Sequence, residues 1–379
     1  MSTTYKNITL GIVGGGQLGR MLIQEAINLN IDVHILDPDA NAPCKDIATQ
    51  FTQGSLTDYD TVYQFGQGCD VVTIEIENVN TEALRKLREE GFTVYPEPDI
   101  ISLIQDKREQ KQFYQQNGIP TAPFVLTEQK SDLEQYQDML PAVQKLGKAG
   151  YDGRGVQKIT SVEDIEKGFD EPGLLEKLID FEKELAVIVA RNAQGEVKAF
   201  PVTEMVFHPE HNLVEYLFAP ADISSETAQK ATDLAKTVIE KLGMTGLLAV
   251  ELFLTKEGDI LVNEVAPRPH NSGHHTIEGN RTSQYAQHLR SILNLPLGAT
   301  DTLIPAAMVN LLGEAGYTGD AQYQGLDEVL AVDGVNVHLY GKKLTKPFRK
   351  MGHVTILDQN LDRLKEKAQF VKQHLKVIA

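Results

Sequence analysis

Two glutamates stand inside apolar runs, where an unpaired charge is costly: Glu251 in LAVELF and Glu264 in LVNEVAP. Lys256-Glu257-Gly258-Asp259 between them reads as a turn, so the runs form a hairpin in which the two acids face each other. Two carboxylates with the Asn263 amide beside them suit octahedral Mg²⁺, which takes one or two carboxylates and completes its shell with substrate phosphates and water. Upstream, Lys145 ends an apolar segment, and Gly147-Lys148-Ala149-Gly150-Tyr151-Asp152-Gly153-Arg154-Gly155 follows, dense in glycine and positive charge. Such a loop closes over phosphates: the glycines let backbone N–H groups approach the oxygens, and Lys145, Lys148 and Arg154 supply charge. It is not a P-loop, because the GxxxxGK[ST] pattern is absent. Leu174-Leu175-Glu176-Lys177-Leu178-Ile179 reads as an edge strand whose backbone and Glu176 carboxylate take an adenine, with Glu184 positioned for ribose hydroxyls.

A second phosphate signal lies near the N-terminus. Gly14-Gly15-Gly16-Gln17-Leu18-Gly19 follows a strand-like run and opens a helix, whose first N–H groups are free to meet an anion. Asp37 ends the next strand about 20 residues on, in the place of the acid that binds the ribose of NAD. The same turn holds any phosphate, so a dinucleotide, another phosphorylated ligand and a bare strand-to-helix turn all remain open here.

These residues need a sizeable scaffold, and 379 residues supply one of two or three domains at roughly 150 residues each. With 36 Lys+Arg against 53 Asp+Glu the net charge is −17, which excludes a general binder of nucleic acid or anionic membrane; anionic ligands must be drawn to local basic pockets. Composition is that of a globular protein, 41% hydrophobic and 23% charged, without low-complexity bias. Cys44 and Cys69 are too few for a disulfide framework and lack metal-ligand spacing, which points to a reducing, cytoplasmic compartment. No leader pattern or membrane-length apolar run is expected.

Over the first hundred residues short apolar runs (ITLGIVGG, DVHILD, CDVVTIEIE, FTVYP) alternate with helical stretches, which argues for a parallel sheet with crossover helices. IISLIQDKREQKQFYQQNG reads as one polar helical segment ending at Gly118, with Pro120 beyond. The middle is richer in strands, with an amphipathic helix at SSETAQKATDLAKTVIEKLG, and the tail holds further strands and a last helix. The expected fold class is therefore α/β and α+β: a Rossmann-like N-terminal domain over 1–98, a large α+β domain over 99–298, and a small β-rich domain over 299–379.

Lys107, Lys145, the GYDGRG loop, the EKLI strand, Glu184 and the Glu251/Asn263-Glu264 set together resemble the ATP-grasp superfamily. Three further segments, Arg268-Pro269-His270-Asn271-Ser272-Gly273-His274, His338-Leu339-Tyr340-Gly341-Lys342 and Arg349-Lys350-Met351-Gly352-His353, with GGGQLGRM and GYDGRG, resemble the 5-(carboxyamino)imidazole ribonucleotide synthetases within it, across all three expected domains. The neighbouring formate-dependent glycinamide ribonucleotide transformylases share the RPH segment but carry Asp where Asn271 stands.

The resemblance implies ATP-dependent carboxylation of 5-aminoimidazole ribonucleotide with bicarbonate, through carboxyphosphate, in a cytoplasmic homodimer. ATP would lie on Lys107, Lys145, Gly150, Tyr151, Asp152, Gly153, Arg154, Gly155, Val156, Glu176, Lys177, Leu178, Ile179, Glu184, His208, Asn263 and Glu264, with Mg²⁺ on Glu251 and Glu264. Val156 stands where the family has Gln, and the Glu204-Met205-Val206-Phe207-His208 spacing differs from the family's ExxH. The ribonucleotide would lie on Gly16, Gln17, Leu18, Glu75, Tyr151, Arg154 and Lys350, its phosphate on the glycine turn and a ribose hydroxyl on Glu75. Arg154, Arg268, His270, Asn271 and Tyr151 would surround the carboxyl chemistry. The competing expectations are an NAD-dependent dehydrogenase, the transformylase, a biotin carboxylase and a non-catalytic ATP-binding scaffold.

Overall fold

The structure is a computed structural model that describes residues 7–148, 155–207 and 214–379. Five parallel strands begin it: β1 (Thr9–Val13), β2 (Asp32–Asp37), β3 (Gln50–Gln53), β4 (Val71–Ile74) and β5 (Thr93–Val94), in the order β3-β2-β1-β4-β5. The central strands are apolar nearly throughout because α1 (Gln17–Asn28) covers one face while α2 (Tyr59–Gly66) and α3 (Thr81–Glu89) cover the other. Asp58 and Asn80 cap the second and third helices by accepting N–H bonds from Thr61 and Ala83. The first helix has no side-chain cap at Gly16, so its N-terminal N–H groups look elsewhere for partners.

The polar segment expected to be one helix is two, α4 (Pro98–Gln105) and α5 (Lys107–Gln116). Asp106 breaks it: its backbone is extended, and its carboxylate accepts the Arg108 N–H at 2.9 Å and caps the second helix. The break sets Lys107 and, one turn on, Lys111 on the face that meets the strands downstream.

A four-stranded antiparallel sheet follows: β6 (Phe124–Thr127), β7 (Ala142–Leu146), β8 (Val156–Ile159) and β9 (Gly173–Lys177), in the order β6-β9-β7-β8. The EKLI strand is thus interior rather than an edge; it pairs with β6 on one side and β7 on the other. Four consecutive buried residues reflect cover on both faces, which a short apolar run cannot distinguish from an edge position.

The larger sheet has nine strands. It takes β10 (Phe181–Arg191), β11 (Val197–Ala199), β12 (Thr203–Phe207), β13 (Val214–Ala219), β14 (Gly246–Thr255) and β15 (Ile260–Ala266), in the order β15-β14-β10-β12-β13, with β11 on the end of β10. It continues from β13 into Ala306–Leu312, Lys350–Leu357 and Val335–Leu339, so one sheet joins the middle of the chain to its tail. The amphipathic segment forms α6 (Ser225–Leu242), capped by Ser224 and ended by Gly243 at φ +64°, where a left-handed residue favours glycine. Its buried Ala231, Ala235, Val238 and Ile239 pack on β10 and β14. Two short helices, α7 (Thr276–Gly279) and α8 (Gln284–Ile292), lie between β15 and the tail strands, and α8 also packs on α1.

Candidate active site

The hairpin β14–β15 places Glu251 directly opposite Glu264, with a bulge just beyond Glu251. Glu184 on β10 is opposite Phe253, two residues along β14, so all three carboxylates lie on one face of the sheet. Glu264 stands half-exposed to the cleft with its side chain 46% accessible, while Glu251 lies deeper at 14%. Lys107, at the start of α5, reaches across to Glu264 at 3.1 Å. That ammonium holds the Glu264 carboxyl well below its usual range, and Glu264 in turn raises the Lys107 pKa. Glu251 is pushed the other way, first by burial and then by the charge of Glu264, and burial lifts Glu184 to about 7. The face therefore holds more acid than its own cations neutralise.

Beneath it lies a buried ion cluster. Glu176 on β9 is shared by Lys145 at 2.6 Å and by Lys111, and Lys145 also donates to the Asn263 amide oxygen at 3.2 Å. Burial alone would raise the Glu176 carboxyl, but the two ammoniums outweigh it and hold the group ionised. Burial pushes Lys111 down to about 8 despite Glu176. The Glu176 side chain is thus already committed to two lysines, so the expectation that its carboxylate takes an adenine does not fit this arrangement. Lys111 was not among the expected residues; its signal was the i, i+4 spacing from Lys107 in KREQK.

Lys177 turns away to donate to the Leu140 carbonyl at 3.2 Å, and the Leu178 N–H bonds to Pro141 O at 3.1 Å. Ile179 is half-buried beyond the strand end. Gly155 accepts the Leu146 N–H at 2.9 Å, and Val156 opens β8 with its side chain exposed. Gly150, Tyr151, Asp152, Gly153, Arg154 and His208 lie outside the described residues.

After β15 the chain turns through Arg268-Pro269-His270 into a 3₁₀ turn at Asn271–Gly273. His270 caps that turn: its Nδ1 accepts the Ser272 N–H at 3.3 Å, which leaves Nε2 facing Glu251 at 3.6 Å. Asn271 opens the turn beside it. Arg268 crosses to the N-terminal sheet and pairs with Glu77 at 2.9 Å, close enough for its charge to act on Glu75. The Lys350 charge acts on Glu251 and on His274, so that lysine lies near both.

The glycine turn is not built for a dinucleotide. Glu75, at the end of β4, accepts N–H bonds from Gly16 and from Gly19 at 2.5 Å, and Asp37 accepts the Gly15 N–H at 2.7 Å. A Cβ on Gly14 or Gly16 would collide with the Glu75 side chain, so both glycines are required by that close approach. The acid expected to hold a cofactor ribose is folded back onto the turn, and a second carboxylate stands where a pyrophosphate would lie. The first-turn N–H groups of Gln17 and Leu18 have no protein acceptor among the described residues. The turn thus offers two donors to an anion, enough for one phosphate.

Comparison with known proteins shows the family. Residues 7–105 match the ribonucleotide synthetase preATP-grasp domain, 112–285 the ATP-grasp domain and 306–367 the phosphoribosylaminoimidazole carboxylase C-terminal domain. The chain is 37% identical over 365 residues to the N5-carboxyaminoimidazole ribonucleotide synthase of Bacillus subtilis, covering 94% of this chain and 93% of that one. The chain belongs to the N5-carboxyaminoimidazole ribonucleotide synthase family. The synthetase structure from Thermotoga maritima superposes with a TM-score of 0.90 at 43% identity, covering 98% of this chain and 99% of that one. The Aspergillus clavatus synthase solved with ADP and 5-aminoimidazole ribonucleotide gives 0.89 at 34% identity, with 98% and 99% covered. Plant and yeast proteins named phosphoribosylaminoimidazole carboxylase also match, and the chain spans 65% and 66% of the length of two of them. No helix among the described residues is long and apolar enough to cross a membrane.

Replacing Glu75 by Ala leaves the Gly16 and Gly19 N–H groups without their acceptor. An unmet buried donor costs about 1–3 kcal/mol, so Glu75→Ala should lower the unfolding midpoint in a denaturant titration; an unchanged midpoint would contradict the role given to that carboxylate.

Proposed function

We propose that this chain carboxylates 5-aminoimidazole ribonucleotide with bicarbonate at the expense of ATP, giving 5-(carboxyamino)imidazole ribonucleotide, ADP and phosphate in purine biosynthesis. The observation that carries the reading is the short stretch from Arg268 to His270: Arg268 pairs with Glu77 and its charge acts on Glu75 at the one-phosphate turn, while His270 faces Glu251 on a carboxylate and lysine face suited to a nucleoside triphosphate. A dehydrogenase leaves that face without a role, and the glycine turn rejects its cofactor.

In the reaction a bicarbonate oxygen attacks the terminal phosphorus of ATP and the bond to ADP breaks, forming carboxyphosphate. The exocyclic amine nitrogen of the ribonucleotide then attacks the carboxyl carbon, the bond to phosphate breaks, and the amine gives up a proton. Both steps gather negative charge, which fixed cations stabilise best in a site closed to water. We assign that work to Lys107, Lys145 and Arg268, and the carboxyl pocket to His270, Asn271, Tyr151 and Arg154. Glu184 holds the nucleotide ribose, and His208 completes the nucleotide contacts. Lys350 faces the ribonucleotide phosphate at the glycine turn, and Glu75, while holding that turn, presents an acceptor to the ribose.

The residues also fit a divalent cation. Among the described residues no three His, Cys, Asp or Glu side chains could hold a metal unaided, and Glu251 with Glu264 supplies the two carboxylates that Mg²⁺ takes when phosphates complete its shell. We assign Mg²⁺ to that pair; when bound it would neutralise the phosphate oxygens. We place the reaction in the cytoplasm, in keeping with two free, buried cysteines, and take the working form as a homodimer from the family resemblance.

The direct test is ADP formation from Mg-ATP and bicarbonate, with and without 5-aminoimidazole ribonucleotide, beside formate with glycinamide ribonucleotide. ADP that requires bicarbonate and the first ribonucleotide is expected; turnover with the second pair alone would move the chain to the transformylases, and none with either pair would leave a scaffold. In the same assay Lys350→Ala should raise the KM for the ribonucleotide far more than that for ATP, and equal changes in both would contradict its phosphate role.

Metal binding carries a further signature. Burial and then the charge of Glu264 raise the Glu251 carboxyl to about 8, so a cation that favours the carboxylate must displace its proton. Calorimetry of Mg-ATP binding near pH 7 in buffers of different ionisation enthalpy should show proton release that Glu251→Gln removes; release undiminished in that variant would contradict the assignment.

A further inference from the structure

The loop that carries Arg268, His270 and Asn271 leaves the sheet at Ala266 and has no regular structure before the 3₁₀ turn. Something outside its own backbone must fix it, and the first residue of α8 does. Gln284 is fully buried. Its Oε1 accepts the His270 N–H at 2.8 Å, and its Nε2 donates to the His270 carbonyl at 2.8 Å and to His274 Nδ1 at 3.1 Å. One amide thus meets both backbone polar groups of a single residue, as a neighbouring strand would. Gly273 admits it: a Cβ at that position would meet Oε1 of Gln284 at 2.5 Å and its Cδ at 2.6 Å. On the far side the His274 ring packs against His353, centroids 4.7 Å apart, on the strand that carries Lys350. His270, held by its backbone, keeps Nε2 towards Glu251.

We propose that Gln284 is a positioning residue for the carboxylation. Its amide is committed to the loop itself: it fixes the His270 peptide, from which the ring, turned by the Nδ1 contact with Ser272, faces Glu251, and with it the path of the chain from Arg268. The proposal rests on the reaction assigned above, in which His270 lines the carboxyl pocket. Displacing a reacting group by about 1 Å can lower a rate by about 100-fold, whereas Lys107, Lys145 and Glu184, assigned above to the nucleotide, stand on α5, β7 and β10 outside this loop, so ground-state ATP binding is expected to change less than the rate.

The same helix supplies the control. One turn on, Gln287 is equally buried and clamps a different residue in the same way: its Oε1 accepts the Gly298 N–H at 2.8 Å and its Nε2 donates to the Gly298 carbonyl at 3.0 Å. Gly298 belongs to a connection that carries no residue of the site. Gln284→Met and Gln287→Met therefore each delete a clamp on one residue's backbone N–H and carbonyl from the same helix, Gln284→Met removing the His274 contact as well, and differ in what they release.

Steady-state kinetics of ADP and product formation, with thermal unfolding, separates the roles. For Gln284→Met kcat should fall by about 10- to 100-fold while the KM for ATP stays within about twofold; Gln287→Met should keep kcat within about twofold at a similar loss of thermal stability. Equal kcat in the two variants, or a Gln284→Met effect confined to the KM for ATP, would overturn the proposal. Gly273→Ala displaces the same amide from the other side and should show the same loss of kcat if Gln284→Met does not fold; a full kcat there would overturn the proposal equally. A parent enzyme that forms no ADP with bicarbonate and 5-aminoimidazole ribonucleotide would remove the assigned reaction and this role together, whereas an active parent with an unaffected Gln284→Met removes Gln284 alone.

Discussion

Charge taken out of water is the constraint on which the rest of this structure depends. Lys107, Lys111 and Lys145 come from one helix and one strand; Glu176, Glu184, Glu251 and Glu264 come from four others. Each charge is tolerable only where the opposite sign is within reach, because stripping one partner from a buried pair leaves the other uncompensated at a cost of several kcal/mol. The break at Asp106, the interior place of β9 and the β14–β15 register together bring these groups to one cleft. Three ammoniums do not neutralise four carboxylates, and burial first, with the charge of Glu264 added, pushes Glu251 and Glu184 towards the protonated form. Under the proposed function a divalent cation with a polyphosphate would complete such a site.

The glycine turn follows the same logic in a smaller space. A Rossmann-like strand and helix present N–H groups to any anion, and what they bind is decided by which of those groups remain available. Here Glu75 and Asp37 use the donors of Gly15, Gly16 and Gly19, so only the first-turn N–H groups of Gln17 and Leu18 are left for the anion of the proposed function. Arg268 is paired to Glu77 on this side and leads into His270, which faces Glu251, on the other, so under the proposed function the phosphate of one ligand and the reacting end of another would be held from the same short stretch of chain.

The sequence was most legible where local pattern and chemistry coincide. Glu251 and Glu264 stood out because a charge in an apolar strand demands a reason, and the intervening turn set them opposite each other. The N-terminal parallel sheet was readable from the alternation of runs and helices, and α6 from its amphipathic period. What escaped depends on partners distant in sequence or on single residues. Asp106 splits a helix through one extended residue inside an otherwise helical pattern. Strand order is invisible in a short apolar run, so the EKLI strand read as an edge. Lys111 meets Glu176 from 65 residues away, and Glu75 meets Gly16 from 59. Asp37 has the right type and spacing for a dinucleotide site and turns out to brace the glycine turn instead. Gln284 gave no signal at all, because a buried amide is significant only through the backbone it clamps.

The measurement that bears most directly on this cleft follows an oxygen atom. If a bicarbonate oxygen attacks the terminal phosphorus of ATP and stays with that phosphorus when the amine takes the carboxyl carbon, turnover with ¹⁸O-labelled bicarbonate and 5-aminoimidazole ribonucleotide must move label into inorganic phosphate. One ¹⁸O per phosphate formed is expected, read by mass spectrometry or ³¹P NMR. Unlabelled phosphate alongside carboxylated product would mean that bicarbonate is not activated by ATP in this site, and the role given to its charges would be wrong.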